Sequence, residues 1–242
     1  MISKAQIKLI TSLHQKKYRT KTGLFLAEGR KIVADLYQAG LELSALYTTE
    51  TADYPQELTH TITEKELKKI SALSQANTQL AVFKMPEGQA LPSEGRILAL
   101  DAVRDPGNLG TIIRLCDWFG IAHLVCSTDT VDAFNPKVVQ ATMGSIARVQ
   151  LHYTDLPAYL ANWSGTVWGA DMKGAAAYSV SWPEDLVLVM GNEANGLSDA
   201  VRAVLSDTIS IPSHRNATGA ESLNVAMATS ILLSELRRPT GT

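Results

Sequence analysis

The feature that most limits the possible folds is a set of short apolar runs that do not alternate with polar residues. Three of them are ILALDAV, HLVC and DLVLVM, and helical segments lie between them. A strand that is apolar at every position is buried on both faces, which is typical of a parallel sheet covered by helices. The C-terminal part of the chain is therefore predicted to be a doubly wound α/β domain.

The N-terminal part predicts a smaller α/β unit. Apolar residues have helical spacing from residue 3 to 15 and again in GRKIVADLYQAG, which ends at Gly40 as a helix C-cap would. LSALYTT and TQLAVFKM are strand candidates, and Thr63 and Glu66 have capping-box spacing. MPEGQALPSEGR, residues 85–96, has no periodicity and is the predicted linker between domains 1–88 and 95–242.

Composition excludes several classes of protein. An apolar fraction of 45% is too high for a disordered chain, and two cysteines in apolar segments do not make a disulfide scaffold. The five histidines show no metal-ligand spacing, so no zinc site is expected. Because no apolar run approaches the roughly 20 residues of a membrane span and the N-terminus is polar, a cytoplasmic protein is predicted.

The charge is unevenly distributed along the chain. The formal net charge is −2, but residues 1–31 contain eight basic side chains and a single acid, Glu28. This segment therefore carries +7 and indicates a basic face at the N-terminus. A solvated amphipathic helix would give the same pattern.

Polar residues follow three of the predicted strands, where open parallel sheets bind their ligands. In the first loop, Asn108 is placed to cap the next helix, and Arg114 lies among apolar neighbours in that helix. A guanidinium in such a setting needs an anionic partner, and Glu193 in the second loop offers a carboxylate. In the third segment, Ser222 or Asn224 lies near the start of the last helix.

Each loop alone is typical of a turn or a helix cap, but together they indicate a binding or catalytic site. The chain has no GxGxxG, GxxxxGK[ST] or GxSxG motif at these strand ends. Dinucleotide-binding, P-loop and hydrolase functions therefore have no support.

The three segments resemble the motifs of the SpoU-type RNA 2′-O-ribose methyltransferases of the SPOUT superfamily. NLGTIIR (108–114) and GNEANGL (191–197) are followed in order by IP (211–212) and SLNV (222–225). The first domain, with KKYRTKTGLFLAEGRKIV, is similar to the small L30e-like α/β RNA-binding module that many members carry.

The resemblance implies a homodimeric enzyme whose parallel-sheet domain contains a deep trefoil knot, an exception among protein folds. It also implies that S-adenosylmethionine binds in the knotted loops, mainly through backbone groups, and that no metal is needed. The implied cofactor-binding residues are Gly191, Asn192, Glu193, Ile211, Pro212, Ser222 and Leu223. The implied catalytic residues are Asn108, Arg114, Glu193, Ser222 and Asn224, and the candidate RNA-binding residues are Lys16, Lys17, Arg19, Lys21 and Arg30.

The implied reaction is an in-line attack of a ribose 2′-hydroxyl on the sulfonium methyl group. Arg114 is the family's leading residue, either as a general base or as a group that holds a neighbouring phosphate. An arginine pKa above ~12 makes a base unusual. The link at 213–221 is longer than the family's usual one, and its role is open.

Ribosomal RNA is the predicted substrate class, with transfer RNA as the alternative. An inactive RNA-binding or ribosome-assembly protein is a second possibility, although the polar residues Asn108, Arg114, Glu193 and Asn224 are all present. An unrelated small-molecule α/β enzyme is a third, disfavoured by the missing nucleotide motifs and the basic first domain.

Overall fold

The computed structural model describes residues 2–213 and 222–238. The N-terminal part begins with two helices, which are followed by a mixture of strands and helices. The helices are α1 (Lys4–Ser12), α2 (Lys16–Thr22), α3 (Arg30–Gln38) and α4 (Glu64–Ile70). The strands are β1 (Leu24–Glu28), β2 (Leu43–Thr48), β3 (Thr59–Thr61) and β4 (Gln79–Lys84), and they form one sheet in the order β1-β4-β2-β3.

The local signals in this part act as predicted. Thr63 and Glu66 form the capping box of α4, because each accepts a hydrogen bond from the other's backbone N–H. At the end of α3, Gly40 has a φ of 86°, which a residue without Cβ adopts without strain. Its N–H and that of Leu41 then satisfy the last carbonyls of the helix.

In the C-terminal part, a helix follows most of the strands. Its strands are β5 (Arg96–Leu100), β6 (His123–Ser127), β7 (Gln150–Thr154), β8 (Thr166–Ala176), β9 (Leu186–Met190) and β10 (Asp207–Ser210). Its helices are α5 (Pro106–Phe119), α6 (Pro136–Thr142), α7 (Leu156–Ala161), α8 (Asp199–Arg202) and α9 (Val225–Leu236).

The six strands form one parallel sheet in the order β10-β8-β9-β5-β6-β7. All five residues of β9 are buried, as the unbroken apolar run DLVLVM predicts. The predicted α/β class and parallel sheet are therefore confirmed. The knot stays a prediction, because the third segment includes residues 214–221, which lie outside the described residues.

The order of strands identifies where a ligand would bind. From β5 the chain proceeds to β6 and β7 on one side of the sheet, whereas β8 and β10 lie on the other side, beyond β9. In such sheets, ligands bind beyond the carboxyl ends of the strands at which the direction reverses. The expected site is therefore the space beyond the carboxyl ends of β5 and β9, here called the β5–β9 crevice.

The structure has two compact units, and each of them is made of two separate segments of the chain. Residues 132–148 cluster with the N-terminal residues up to 87, and the second unit is made of 88–131 and the residues from 149 onward. In the first unit, α6 packs on β1, and the Phe134 ring lies 4.9 Å from that of Phe25. The first unit thus includes a segment that the predicted boundaries assign to domain 95–242.

Candidate active site

The loops after β5 and β9 are joined directly by hydrogen bonds. The Asp101 N–H donates to the Met190 carbonyl, and the Ser198 N–H donates to Asp101 Oδ2 at 2.7 Å. Asn192 Nδ2 donates to the Ala102 carbonyl at 2.6 Å. The two loops are therefore held together at the carboxyl edge of the sheet.

Asn108 does not cap α5, contrary to the prediction. The helix begins at Pro106, and the N-cap is Asp105, whose Oδ1 accepts from the Asn108 N–H at 2.8 Å. Proline fits the first helical position because its fixed φ suits the helix and it has no N–H to satisfy. The side chain of Asn108 is consequently available for other contacts.

Three side chains, one from each motif, form a continuous hydrogen-bonded series, here called the Asn–Asn–Glu relay. Asn224 Nδ2 donates to Asn108 Oδ1 at 2.9 Å, and Asn108 Nδ2 donates to Glu193 Oε1 at 3.0 Å. Asn224 Oδ1 also accepts from the first N–H groups of α9, so Asn224 is the N-cap of that helix. The relay brings together residues 85 and 116 positions apart in the chain.

Glu193 has more donors around it than Asn108 alone. The N–H groups of Arg104 and Asp105 point at its carboxylate, at 3.3 and 3.2 Å. Burial raises the pKa of Glu193, but the hydrogen bonds from Asn108 and these backbone groups outweigh burial and leave the pKa below its ordinary value. Glu193 is therefore an ionised acceptor that orders the first loop.

Arg114 is exposed, and the expectation that Glu193 pairs with it is wrong. Among the described residues, no hydrogen bond or ion pair joins the Arg114 guanidinium to Glu193. Ile112, Ile113 and Cys116 occupy the buried face of α5, which leaves the arginine on the outer face. Water therefore hydrates its charge, and the guanidinium is accessible to an anionic ligand.

The second loop is shaped by its own backbone. Asn192 Oδ1 accepts from the N–H groups of Ala194 and Asn195, and the backbone groups of Asn192 and Gly196 pair with each other at 2.9 Å. A Cβ on Gly191 would lie 2.4 Å from the Gly196 carbonyl carbon. Glycine is required at 191 for this close approach, and the Asn192 side chain is used to close the loop.

The third motif is only partly described. Ile211 and Pro212 are half-buried after β10, while Ser222 and Leu223 are exposed just before α9. Within the described ranges, no residue forms a hydrogen bond with the Ser222 side chain. The longer link at 213–221, including His214, Arg215 and Asn216, falls almost entirely outside the described residues.

Helices α5 and α9 lie side by side and parallel. The relay joins their N-terminal ends, and the Arg237 guanidinium donates to the carbonyls of Phe119 and Gly120 at the other end. On the outer face of α5, Trp118 lies one turn after Arg114 and is 84% exposed. Met227 on α9 is 56% exposed. Each of these two helices thus exposes a large apolar side chain.

The candidate RNA-binding residues divide into two groups. Lys16, Lys17, Lys21 and Arg30 are exposed. Arg19 is 2% exposed, and its guanidinium contacts the Asp132 carboxylate and the Leu13 carbonyl. Its assignment to RNA is therefore corrected, since a buried paired guanidinium holds α2 in place and does not reach a phosphate.

Sequence reasoning missed three residues near the crevice. Ala102 has a φ of 57°, which is strained for a residue with Cβ, and its N–H donates to Ser127 Oγ. Asp171 and Arg202 form an ion pair at 2.6 Å beside the second loop. No sequence signal indicates the strain at Ala102. The eleven-residue length of β8, which brings Asp171 to the second loop, is likewise visible only in the structure.

Neither a metal site nor a membrane helix is found in the described part of the chain. No group of three or more potential ligand side chains lies close enough to hold a metal there. Among those same residues, no helix has the length and apolarity needed to cross a bilayer.

Comparison with known proteins agrees with the geometry of the crevice. The SpoU rRNA Methylase family matches residues 95–234, and an MRM3-like substrate binding domain matches residues 4–86. The chain is 33% identical to the 23S rRNA (guanosine(2553)-2′-O)-methyltransferase RlmP of Bacillus subtilis, covering 93% of each protein.

Solved structures agree with this assignment. A TrmH-family structure from Porphyromonas gingivalis is 38% identical, with a TM-score of 0.89 over 99% of this chain and 100% of that one. The AdoMet-bound rRNA methyltransferase of Sinorhizobium meliloti is 30% identical, with a TM-score of 0.85 over 100% of this chain and 98% of that one. With its three motifs joined at the β5–β9 crevice, the chain belongs to the SpoU rRNA methylase family.

Proposed function

We propose that this protein transfers the methyl group of S-adenosylmethionine to a ribose 2′-hydroxyl in ribosomal RNA, in the cytoplasm. The observation that carries the proposal is the Asn–Asn–Glu relay, which joins all three motif segments at the β5–β9 crevice. The similarity to RlmP over nearly the whole chain favours ribosomal RNA as the substrate class.

The residues around the relay suit a cofactor held by backbone groups and apolar contacts. The side chains of Asn108, Asn192 and Glu193 already bond to one another or to nearby backbone, so they order the loops. Backbone groups at Gly191, Glu193, Ile211, Pro212 and Ser222 remain candidates for the cofactor, together with the exposed apolar side chain of Leu223. S-adenosylmethionine supplies a methyl group on a positively charged sulfur, an electrophile that the 2′-hydroxyl can attack.

Arg114 is the group we assign to the RNA. Its exposed guanidinium suits a phosphate next to the target nucleotide, because its planar fork of donors matches phosphate oxygens. Holding that phosphate would orient the 2′-hydroxyl, whose proton can leave to phosphate or water. Asn108, Glu193 and Asn224 keep the loops around it in place, and Ser222 lies exposed at the entry to α9.

We assign RNA capture to residues 1–88 and methyl transfer to residues 95–242. The side chains of Lys16, Lys17, Lys21 and Arg30 are exposed and place positive charge at the surface of this domain, which suits the phosphate backbone. The match of residues 4–86 to a substrate binding domain supports this division.

We also propose a homodimer that pairs through α5 and α9. Trp118 and Met227 leave apolar side chains exposed on these two adjacent helices, and exposed apolar surface often marks an interface. Since Arg114 lies on the same face of α5 as Trp118, the partner chain would border the active site.

The test is transfer of isotopically labelled methyl from S-adenosylmethionine to ribosomal and transfer RNA from a strain lacking this gene, followed by nucleoside mass spectrometry. We expect a ribose-methylated nucleoside in ribosomal RNA. Labelling of transfer RNA alone would show that transfer RNA, and not ribosomal RNA, is the substrate. Cofactor binding without transfer to either pool would favour an RNA-binding or assembly protein.

Arg114→Ala separates chemistry from cofactor binding. We expect transfer to fall by about 100-fold or more, because the hydroxyl is no longer oriented, while the Kd for S-adenosylmethionine is unchanged. Arg114→Lys should retain part of the activity with the same pH profile, since it keeps the charge. Loss of cofactor binding in Arg114→Ala would contradict this role.

A further inference from the structure

Strand β8 continues past its neighbour at the carboxyl edge of the sheet. Its pairing with β9 ends at Gly169, although the strand extends to Ala176. Its register with β10 then jumps, so that Thr208 pairs with Gly169 and Ile209 pairs with Ala175. Residues 170–174 therefore leave both ladders, and we call them the β8 bulge.

Arg202 ties the β8 bulge to the second motif. Its Nη2 lies 2.6 Å from Asp171 Oδ2 in the bulge, and its Nε donates to the Leu197 carbonyl at 3.1 Å. Asp171 also accepts from the Lys173 N–H at 3.0 Å, which shapes the bulge itself. One guanidinium thus connects two segments that are 26 residues apart in the chain.

The packing beneath this contact leaves little freedom. The Leu197 side chain is 3% exposed, and a Cβ on Gly169 would lie 2.6 Å from its Cδ1. Burial raises the pKa of Asp171, but the hydrogen bonds from Lys173 and Arg202 outweigh it, so the pKa is below its ordinary value. Asp171 therefore stays an anion opposite Arg202 at neutral pH.

We propose that Arg202 and Asp171 are positioning residues for the cofactor: they hold the end of loop 191–197 against the β8 bulge, and so set the backbone that S-adenosylmethionine contacts. The inference rests on the proposed function of that loop. A site that binds through backbone groups depends on loop geometry, which makes a residue that fixes the backbone important for affinity.

The two contacts of Arg202 require an arginine. A guanidinium presents several donors in a rigid fork, so it can bind a carboxylate and a carbonyl at once in fixed directions. The ammonium of a lysine is a single point charge, which can pair with Asp171 but does not keep the Leu197 carbonyl in the same geometry.

The test is the Kd for S-adenosylmethionine, measured by calorimetry on the full-length chain, for Arg202→Lys and Asp171→Asn. We expect a rise of about tenfold in both, because Arg202→Lys loses the directed hydrogen bond to the Leu197 carbonyl and Asp171→Asn loses the charge opposite Arg202. The affinity for a ribosomal RNA fragment should be unchanged. A variant that had lost its fold would bind the RNA more weakly as well.

Arg96→Lys is the matched control. Arg96 also binds a carboxylate and carbonyls, with Glu184 at 2.9 Å and the carbonyls of Pro183 and Leu236 at 3.2 and 3.3 Å, but it begins β5 at the opposite edge of the sheet. The Arg96→Lys substitution should lower Tm about as much as Arg202→Lys does, and it should leave the Kd for S-adenosylmethionine unchanged.

The outcomes are distinct. A wild-type Kd in Arg202→Lys and Asp171→Asn, or an equal rise in Arg96→Lys, overturns the positioning role while leaving the proposed function intact. Failure of the wild-type chain to bind S-adenosylmethionine overturns the proposed function, and this inference with it.

Discussion

At the scale of single residues, two residues close together at the start of α5 have different roles. Asp105 caps α5, whereas Asn108 uses its side chain to join Glu193 and Asn224. The sequence contains a signal for this arrangement, because Pro106 favours the first helical position and makes the preceding residue the N-cap. The contacts of the freed Asn108 side chain depend on residues far along the chain and carry no such signal.

Glu193→Gln is expected to destabilise the protein at neutral pH. Donors from Arg104, Asp105 and Asn108 converge on the carboxylate, and an amide would turn an NH₂ group toward some of them. Because Glu193 is partly exposed, the expected loss in free energy of unfolding is about 1 kcal/mol.

The pH dependence of this loss follows from the lowered pKa of Glu193. The folded pKa lies below the unfolded one, so the stabilisation is fully present above about pH 4.3 and is lost as pH falls through the folded pKa. Thermal unfolding of wild type and variant at pH 7 and pH 3.5 checks this. A Tm difference that stays constant between these pH values would contradict it.

At the scale of elements, α5 and α9 act as one layer because both of their ends are joined. Asn224 has two roles at the N-terminal end, since Oδ1 caps α9 and Nδ2 donates to Asn108. The apolar run of α9 predicts a buried helix, and its start at SLNV was also readable. That the cap also reaches α5 follows only from the packing of the two helices.

Two substitutions at Asn224 separate its roles. Asn224→Ala removes cap and relay and should lower stability by about 1–2 kcal/mol, together with loss of methyl transfer. Asn224→Asp keeps the cap, but Asn108 would then lie between two carboxylates with a single NH₂ group to offer. We expect Asn224→Asp to have a Tm close to that of the wild type and to lose methyl transfer. If its Tm and its activity fell as much as those of Asn224→Ala, the two roles would not be separable.

At the scale of the whole molecule, the exposed apolar surface of α5 and α9 is what supports the proposed dimer. Trp118 contributes most to it, at 84% exposure. The sequence places Trp118 in an apolar helix and so suggests burial, whereas the structure turns it outward beside Arg114.

Trp118→Glu should therefore give a monomer. A charge in the middle of an apolar interface has to lose its hydration on association, which costs several kcal/mol. Sedimentation velocity measures the change, and methyl transfer should fall with it because the partner borders the site. Tyr37→Glu, an exposed aromatic outside this face, is the control. A wild-type chain that sediments as a monomer would contradict the proposed dimer.

Hydrophobic periodicity, capping residues and short motifs act over a few neighbouring positions, so they predict most of the elements, the parallel sheet and the three motif segments. Only the tertiary structure decided which polar groups meet. It buried Arg19 against Asp132, left Arg114 exposed, and joined Asn224, Asn108 and Glu193 into one relay. The physical reason is that exposure and hydrogen-bond partners depend on segments distant in the chain, which local patterns do not record.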